Sequence, residues 1–152
     1  MTTSETQADN PEEEIVEAPE PLLFTINFAR LAELKRSAIM LLAARRVPTC
    51  PSLDLPDTEL TDPQKLVSEI ADHFDDDEGF ITSGMTIQEI VFRTLLTRRN
   101  APTLLRDLHY ELTERWSTPV RPINITEEGL RGIMESDNYY GFATVREVVH
   151  PT

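Results

Sequence analysis

The chain has 152 residues, with 27 acidic side chains against 14 basic ones and a formal net charge of −13. That length suits one domain, or one small domain with an extension, and could bury roughly two thirds of its unfolded surface. Phosphates repel so acidic a chain, which excludes nonspecific nucleic-acid binding by the molecule as a whole; DNA contact would need a local basic patch.

The charge is uneven. Residues 1–85 carry 6 Lys and Arg against 18 Asp and Glu, net −12, whereas residues 86–152 carry 8 against 9, net −1. Cys50 is the only cysteine, so no intramolecular disulfide can form, and a reducing compartment is the natural setting. The first residues, MTTSETQADNPEEE, lack a basic start and an apolar run, so no secretory signal is expected. No uncharged apolar run approaches the length of about 18 residues that a bilayer requires. The expectation is a soluble, cytoplasmic protein without a membrane span.

Residues 1–21 hold seven acidic side chains, three prolines and no Lys or Arg. Such a segment buries too little apolar surface to offset its ordering entropy, and it reads as a disordered acidic tail. It either solvates the chain or acts as an electrostatic lure for a basic partner. Over residues 22–47 the pattern turns helical, with Phe28, Leu31, Leu34, Ala38, Leu41 and Leu42 forming one stripe at three- and four-residue spacing. Asn27 can cap its start, Arg45 and Arg46 suit its negative end, and Pro48 stops it. Ile39 and Met40 widen the apolar face. The stripe either packs on the rest of the chain or offers a dimer or partner interface.

Pro48, Pro51, Pro56 and Pro63 mark an extended linker. Asp62-Pro63 then reads as a cap followed by a first-turn proline, opening a short helix with Leu66, Val67, Ile70 and Phe74 inside. The run Asp75-Asp76-Asp77-Glu78-Gly79 invites a calcium reading. With Gly79 in the glycine position of a calcium loop, the first and twelfth ligand positions become Phe74 and Met85. Neither can ligate a hard cation, so a solvated acidic turn is the expectation.

Three helical patterns follow. Thr86 and Glu89 have capping-box spacing, and the helix they open buries Ile87, Ile90, Val91, Phe92 and Leu95. Asn100-Ala101-Pro102 ends it. Thr103 is expected to start the second helix, with Leu104, Leu105, Leu108 and Leu112 inside and Trp116 near its end. After a loop held by Pro119 and Pro122, Ile125 and Thr126 start the third, with Leu130, Ile133 and Met134 inside. Asp137-Asn138 is a stop and turn, and Tyr139, Tyr140, Phe142 and Val145 favour a strand or small hairpin. The expected organisation is a tail over residues 1–21, a helical extension with a proline-rich linker over 22–78, and a compact domain over 79–152.

In this order of elements, residues 86–145 resemble the HARE-type helix-turn-helix, a winged-helix family found in restriction and chromatin-associated proteins. The delta subunit of bacterial RNA polymerase has a similar domain. The resemblance is carried by a first helix ending at Asn100-Ala101-Pro102, a leucine-rich helix from Leu104 to Trp116, a third helix, and the aromatic-glycine strand Tyr139-Tyr140-Gly141-Phe142. It implies a mainly α fold: a winged helix-turn-helix-like three-helix domain with a small C-terminal β element, here preceded by additional helices and the acidic tail. Two features depart from the pattern. Only a few residues separate Asn138 from Phe142, so no long basic wing is present. The acid also precedes the domain, whereas in the delta subunit it follows.

In a DNA-reading winged helix the third helix enters the major groove with Arg, Lys, Asn or Gln. Here its exposed candidates are Glu127, Glu128, Arg131 and Glu135, summing to −2. The expected function is therefore a non-enzymatic regulatory or adaptor protein that contacts protein within transcription or other nucleic-acid machinery. Its partner would be a protein of basic character, or a second copy of the chain, with Phe28, Leu31, Ile39 and Trp116 as candidate interface residues. The alternative is DNA binding through the phosphate backbone by Arg98, Arg99, Arg106, Arg115, Arg121 and Arg131. No cofactor, metal or catalytic residue is expected. His73, His109 and His150 are far apart in sequence, no Cys-x-x-Cys or His-x-x-x-His pair exists, and no glycine lies in a phosphate-cradling loop.

Overall fold

A computed structural model describes residues 21–145. The acidic tail expected over residues 1–21 lies, apart from Pro21, outside the described residues, as does His150. The described residues are about half helical, with one small three-stranded antiparallel sheet among them.

The first element corrects the sequence reading. Residues 22–47 do not form one helix but a strand, β1 (Leu23–Ile26), and two short helices, α1 (Phe28–Glu33) and α2 (Ala38–Ala43). The apolar spacing fits both arrangements because Phe24 and Ile26 also alternate, and both are buried. Asn27 does cap α1, its side chain accepting from the Arg30 N–H at 2.9 Å. Lys35, in the left-handed region at φ 61°, ends that helix, and the Arg36 N–H closes back on the Leu31 carbonyl at 2.9 Å. Ser37 caps α2, and Arg45 and Arg46 donate to the Leu41 and Ala43 carbonyls at its other end.

Beyond two short 3-10 turns runs α3 (Pro63–His73), capped by Asp62 and burying Leu66, Val67 and Ile70. A 3-10 turn over Phe74–Asp76 leads into the acidic loop. Helix α4 (Ile87–Thr97) is capped by Thr86, whose hydroxyl accepts from the Glu89 N–H at 3.1 Å. It is the central helix, with Ile90, Val91, Phe92, Leu95 and Leu96 all buried. Arg99 and Asn100 both sit at positive φ, and Asn100 ties the end of α4 to β1. Its side-chain oxygen accepts from the Ile26 N–H at 2.7 Å, and its amide donates to the Ile26 carbonyl at 2.8 Å.

Thr103 does not start a helix. Thr103–Leu104 is a two-residue strand, β2, paired with β1, and α5 (Leu105–Tyr110) follows it. That helix widens into a π-helical turn over Glu111–Arg115, which brings Trp116 to its end. Helix α6 (Glu127–Glu135) is capped by Thr126 and buries Leu130 and Met134. The last strand, β3 (Phe142–Val145), pairs antiparallel with β1, so the sheet order is β2-β1-β3. β1 is thus the central strand, placing Leu23 opposite both Leu104 and Val145. Residues on both sides of position 78, the expected domain boundary, share one hydrophobic cluster running from Phe24 to Phe142.

The turn into β3 is built around Asp137, a buried carboxylate that accepts from the N–H groups of Tyr139, Tyr140, Gly141 and Phe142. Gly141 has φ 82°, and a Cβ there would lie 2.6 Å from Cγ of the buried Leu31. Gly141→Ala therefore meets both a backbone penalty and a clash, and should lower stability by about 3 kcal/mol in denaturant unfolding. A loss below about 0.5 kcal/mol would mean that this turn and α1 do not meet as described.

Candidate functional site

The nominated arginines are spread over three helices and a loop, and half of them are already engaged. Arg99 forms an ion pair with Asp72, Arg115 with Glu111 at 3.4 Å, and Arg131 with Glu135 at 3.0 Å. Arg98, Arg106 and Arg121 are exposed and form no ion pair with any described residue. On the outward face of α6, Glu127, Glu128 and Glu135 are exposed beside the single, paired Arg131.

Of the nominated interface residues, Leu31 is a core residue at 1% exposure and has no surface to offer. Phe28 and Ile39 are half-buried against the same core, as is Trp116. The exposed large apolar side chains are different ones, among them Met40 at 74% and Val120 at 89%. The helical stripe over residues 22–47 is thus spent largely on the molecule's own interior.

Two arginines from the DNA-contact set and the tryptophan from the interface set converge on one cleft of about 450 Å³. One wall is the C-terminal end of α4, with Thr94, Thr97 and Arg98. The opposite wall is the π-helical turn, with Glu111, Arg115 and Trp116. The acidic turn after α3 closes the third side with Asp75, Asp77 and Glu78, and Phe74 and Phe80 line the cleft with ring centres 5.8 Å apart. Four carboxylates face two guanidinium groups, a local net charge of −2. Arg115 lies over the Trp116 ring at 5.2 Å from its centre. The Trp116 indole N–H is shut off from solvent and has no hydrogen-bond acceptor among the described residues, an arrangement that costs about 1–3 kcal/mol.

The acidic turn is organised by its own backbone: Asp77 accepts from the Gly79 N–H at 2.9 Å. Among the described residues, no group of three or more His, Cys, Asp or Glu side chains is arranged to hold a metal ion. Nor is any described helix long and apolar enough to cross a membrane.

One cluster went unread in the sequence. The carboxylate of Glu89, 15% exposed, accepts two hydrogen bonds from Arg45 at 2.8 and 3.0 Å, one from Arg93 at 2.6 Å, and one from the Tyr140 hydroxyl at 2.8 Å. Burial pushes this carboxyl up, but the donors from Arg45, Arg93 and Tyr140 outweigh it and hold it at about 2. Burial, reinforced by the hydrogen bond to Glu89, pushes the Tyr140 phenol up to about 12. Arg45 also covers Phe92 at 4.9 Å, and Arg93 covers Phe80 at 5.1 Å. The cluster locks α2, α4 and the turn before β3 together, and Arg93 ties it to the cleft by donating to the Phe80 carbonyl at 2.8 Å. Compared with protein-family models, curated proteins and solved structures, the chain matches none.

Proposed function

We propose that the chain is a non-enzymatic regulatory or adaptor protein whose winged-helix-like core contacts another protein, in the setting of transcription or other nucleic-acid machinery. The winged-helix reading is supported by the order of α4, α5, α6 and β3, the order that carried the resemblance. The middle place in the sheet belongs to β1, a strand from outside the resembling segment. Fold analogy alone does not assign a use.

The observation that carries the functional reading is the outward face of α6. A helix entering the major groove must bring its side chains between two rows of phosphates. Glu127, Glu128 and Glu135 would be repelled there, and the one base beside them, Arg131, sits in an exposed pair with Glu135 and does not offset three carboxylates. A second reading, backbone-mediated DNA binding, rests on Arg98, Arg106 and Arg121, the three nominated arginines without an ion-pair partner among the described residues.

A salt titration of the protein with labelled duplex DNA, followed by fluorescence anisotropy, separates the two. The expected result is no saturable binding even at low salt. Binding that falls steeply with salt, with a slope that flattens in an Arg98→Ala, Arg106→Ala, Arg121→Ala variant, would establish the second reading instead.

A further inference from the structure

We infer that the Trp116 cleft is the docking site for a basic segment of a partner protein, taken as an extended peptide that inserts an arginine or lysine side chain. This rests on reading the chain as a partner-binding protein, and it names the surface and the chemistry of that partner.

Three observations converge on this occupant. The first is charge: the cleft carries a net −2, and the front half of the chain carries −12. Both attract a cation and speed its encounter, and the carboxylates of the acidic turn give it a place to end. The second is shape and composition. Phe74 and Trp116, both partly exposed, supply aromatic surface backed by the buried Phe80, along which the methylene stem of a long basic side chain can lie while its head reaches a carboxylate.

The third is the way Arg115 already sits. Its guanidinium lies 5.2 Å from the centre of the Trp116 ring and 3.4 Å from Glu111. That is the pair of contacts an incoming arginine would make, one to an aromatic face and one to a carboxylate. The Arg115 side chain is 66% exposed, so the pair is a weak one and easily exchanged. Trp116 keeps its ring packed against the core, while its indole N–H has no acceptor among the described residues. A peptide carbonyl would give it one. The π-helical turn immediately before it is a local departure from regular helix, of the kind that recurs at functional sites.

The chain contains one tryptophan, so its own emission reports on the cleft. The probe is a blocked, fluorescently labelled peptide of alternating arginine and glycine, with an alternating glutamate and glycine peptide as control. The full chain should bind the arginine peptide saturably, with a change in tryptophan emission and no response to the glutamate peptide. Neutralising two cleft carboxylates, Asp77→Asn with Glu111→Gln, should weaken binding about tenfold. Neutralising two carboxylates on α6, Glu127→Gln with Glu128→Gln, removes the same net charge and should change affinity by less than about twofold. Circular dichroism checks that both variants keep their helices.

Equal weakening by the two pairs would overturn the cleft assignment, since the peptide would then be following net charge alone. Binding without any emission change would overturn it too. Both outcomes leave the partner-binding reading standing. No binding of the arginine peptide would overturn the inference itself, while the duplex titration judges the broader reading separately.

Discussion

A fragment comprising residues 79–152 will not fold on its own. It lacks β1, the strand to which β2 and β3 are both paired, and a two-residue strand cannot form a sheet unaided. It also lacks α2 and α3, which pack side by side, and the contact of α3 with α4. The lost core includes Phe24, Ile26, Leu31, Leu42, Val67 and Ile70, all at 2% exposure or less. At about 1.5–3 kcal/mol for each buried side chain, their removal is comparable with the whole of the roughly 5–15 kcal/mol by which a domain is stable. Far-UV circular dichroism should show little helix, and thermal unfolding no cooperative transition. A fragment that unfolds cooperatively near the temperature of the full chain would show that the core divides at position 78.

The second large effect is at Glu89. Glu89→Ala removes the one acceptor shared by Arg45, Arg93 and Tyr140, and leaves two largely covered guanidinium groups without their carboxylate. Breaking a covered ion pair from one side is far more damaging than removing an exposed one, and a loss of about 3 kcal/mol is expected in denaturant unfolding at neutral pH. The same residue sets an acid limit. Its carboxyl is held at about 2 in the folded chain, against an ordinary 4.5. Because the folded value is the lower one, the stabilisation is complete above about pH 4.5 and is lost as pH falls toward about 2, amounting to about 3 kcal/mol. Glu89→Gln should be less stable than the parent at neutral pH and should lose less of its remaining stability across that acid window. An unchanged acid profile in Glu89→Gln would show that Glu89 is not the group responsible.

Local signals proved readable in the sequence. Asn27, Ser37, Asp62, Thr86 and Thr126 all cap helices; each cap is a bond within three residues, so Asn27, Asp62 and Thr86 read as caps in the sequence and Thr126 as a helix start, while Ser37 escapes notice. The inner faces of α3, α4 and α6 follow from apolar spacing for the same reason. What escaped was non-local. The segment Leu23–Ile26 pairs with residues about 80 and 120 positions away, and nothing in its own spacing distinguishes a strand from the first turn of a helix. Thr103 looked like a helix start, and became a strand because β1 was there to receive it.

Glu89 shows the same limit in one side chain. Capping-box spacing assigned its carboxylate to a local amide, yet Arg45, 44 residues earlier, takes it instead. Leu31 reads as an interface residue because its stripe is wider than a surface helix needs; the turn at Gly141 covers it. The cleft was legible only in pieces. Trp116 reads as an interface residue, Arg98 and Arg115 as DNA contacts and the acidic run as a solvated turn, and no local spacing joins them. A π-helical turn, which has no known sequence signature here, is what brings Trp116 and Glu111 to face that turn.

The most direct measurement is an amide and indole NMR spectrum of the full chain, recorded with the arginine–glycine peptide and, separately, with duplex DNA. The one tryptophan gives one indole N–H signal. That signal, with the amides of residues 74–81 and 111–116, should shift with the peptide, while α6 stays unchanged and duplex DNA shifts nothing. An indole signal that ignores the peptide, with amides around Arg98, Arg106 and Arg121 responding to DNA, would contradict protein docking at the cleft and make this a DNA-binding protein.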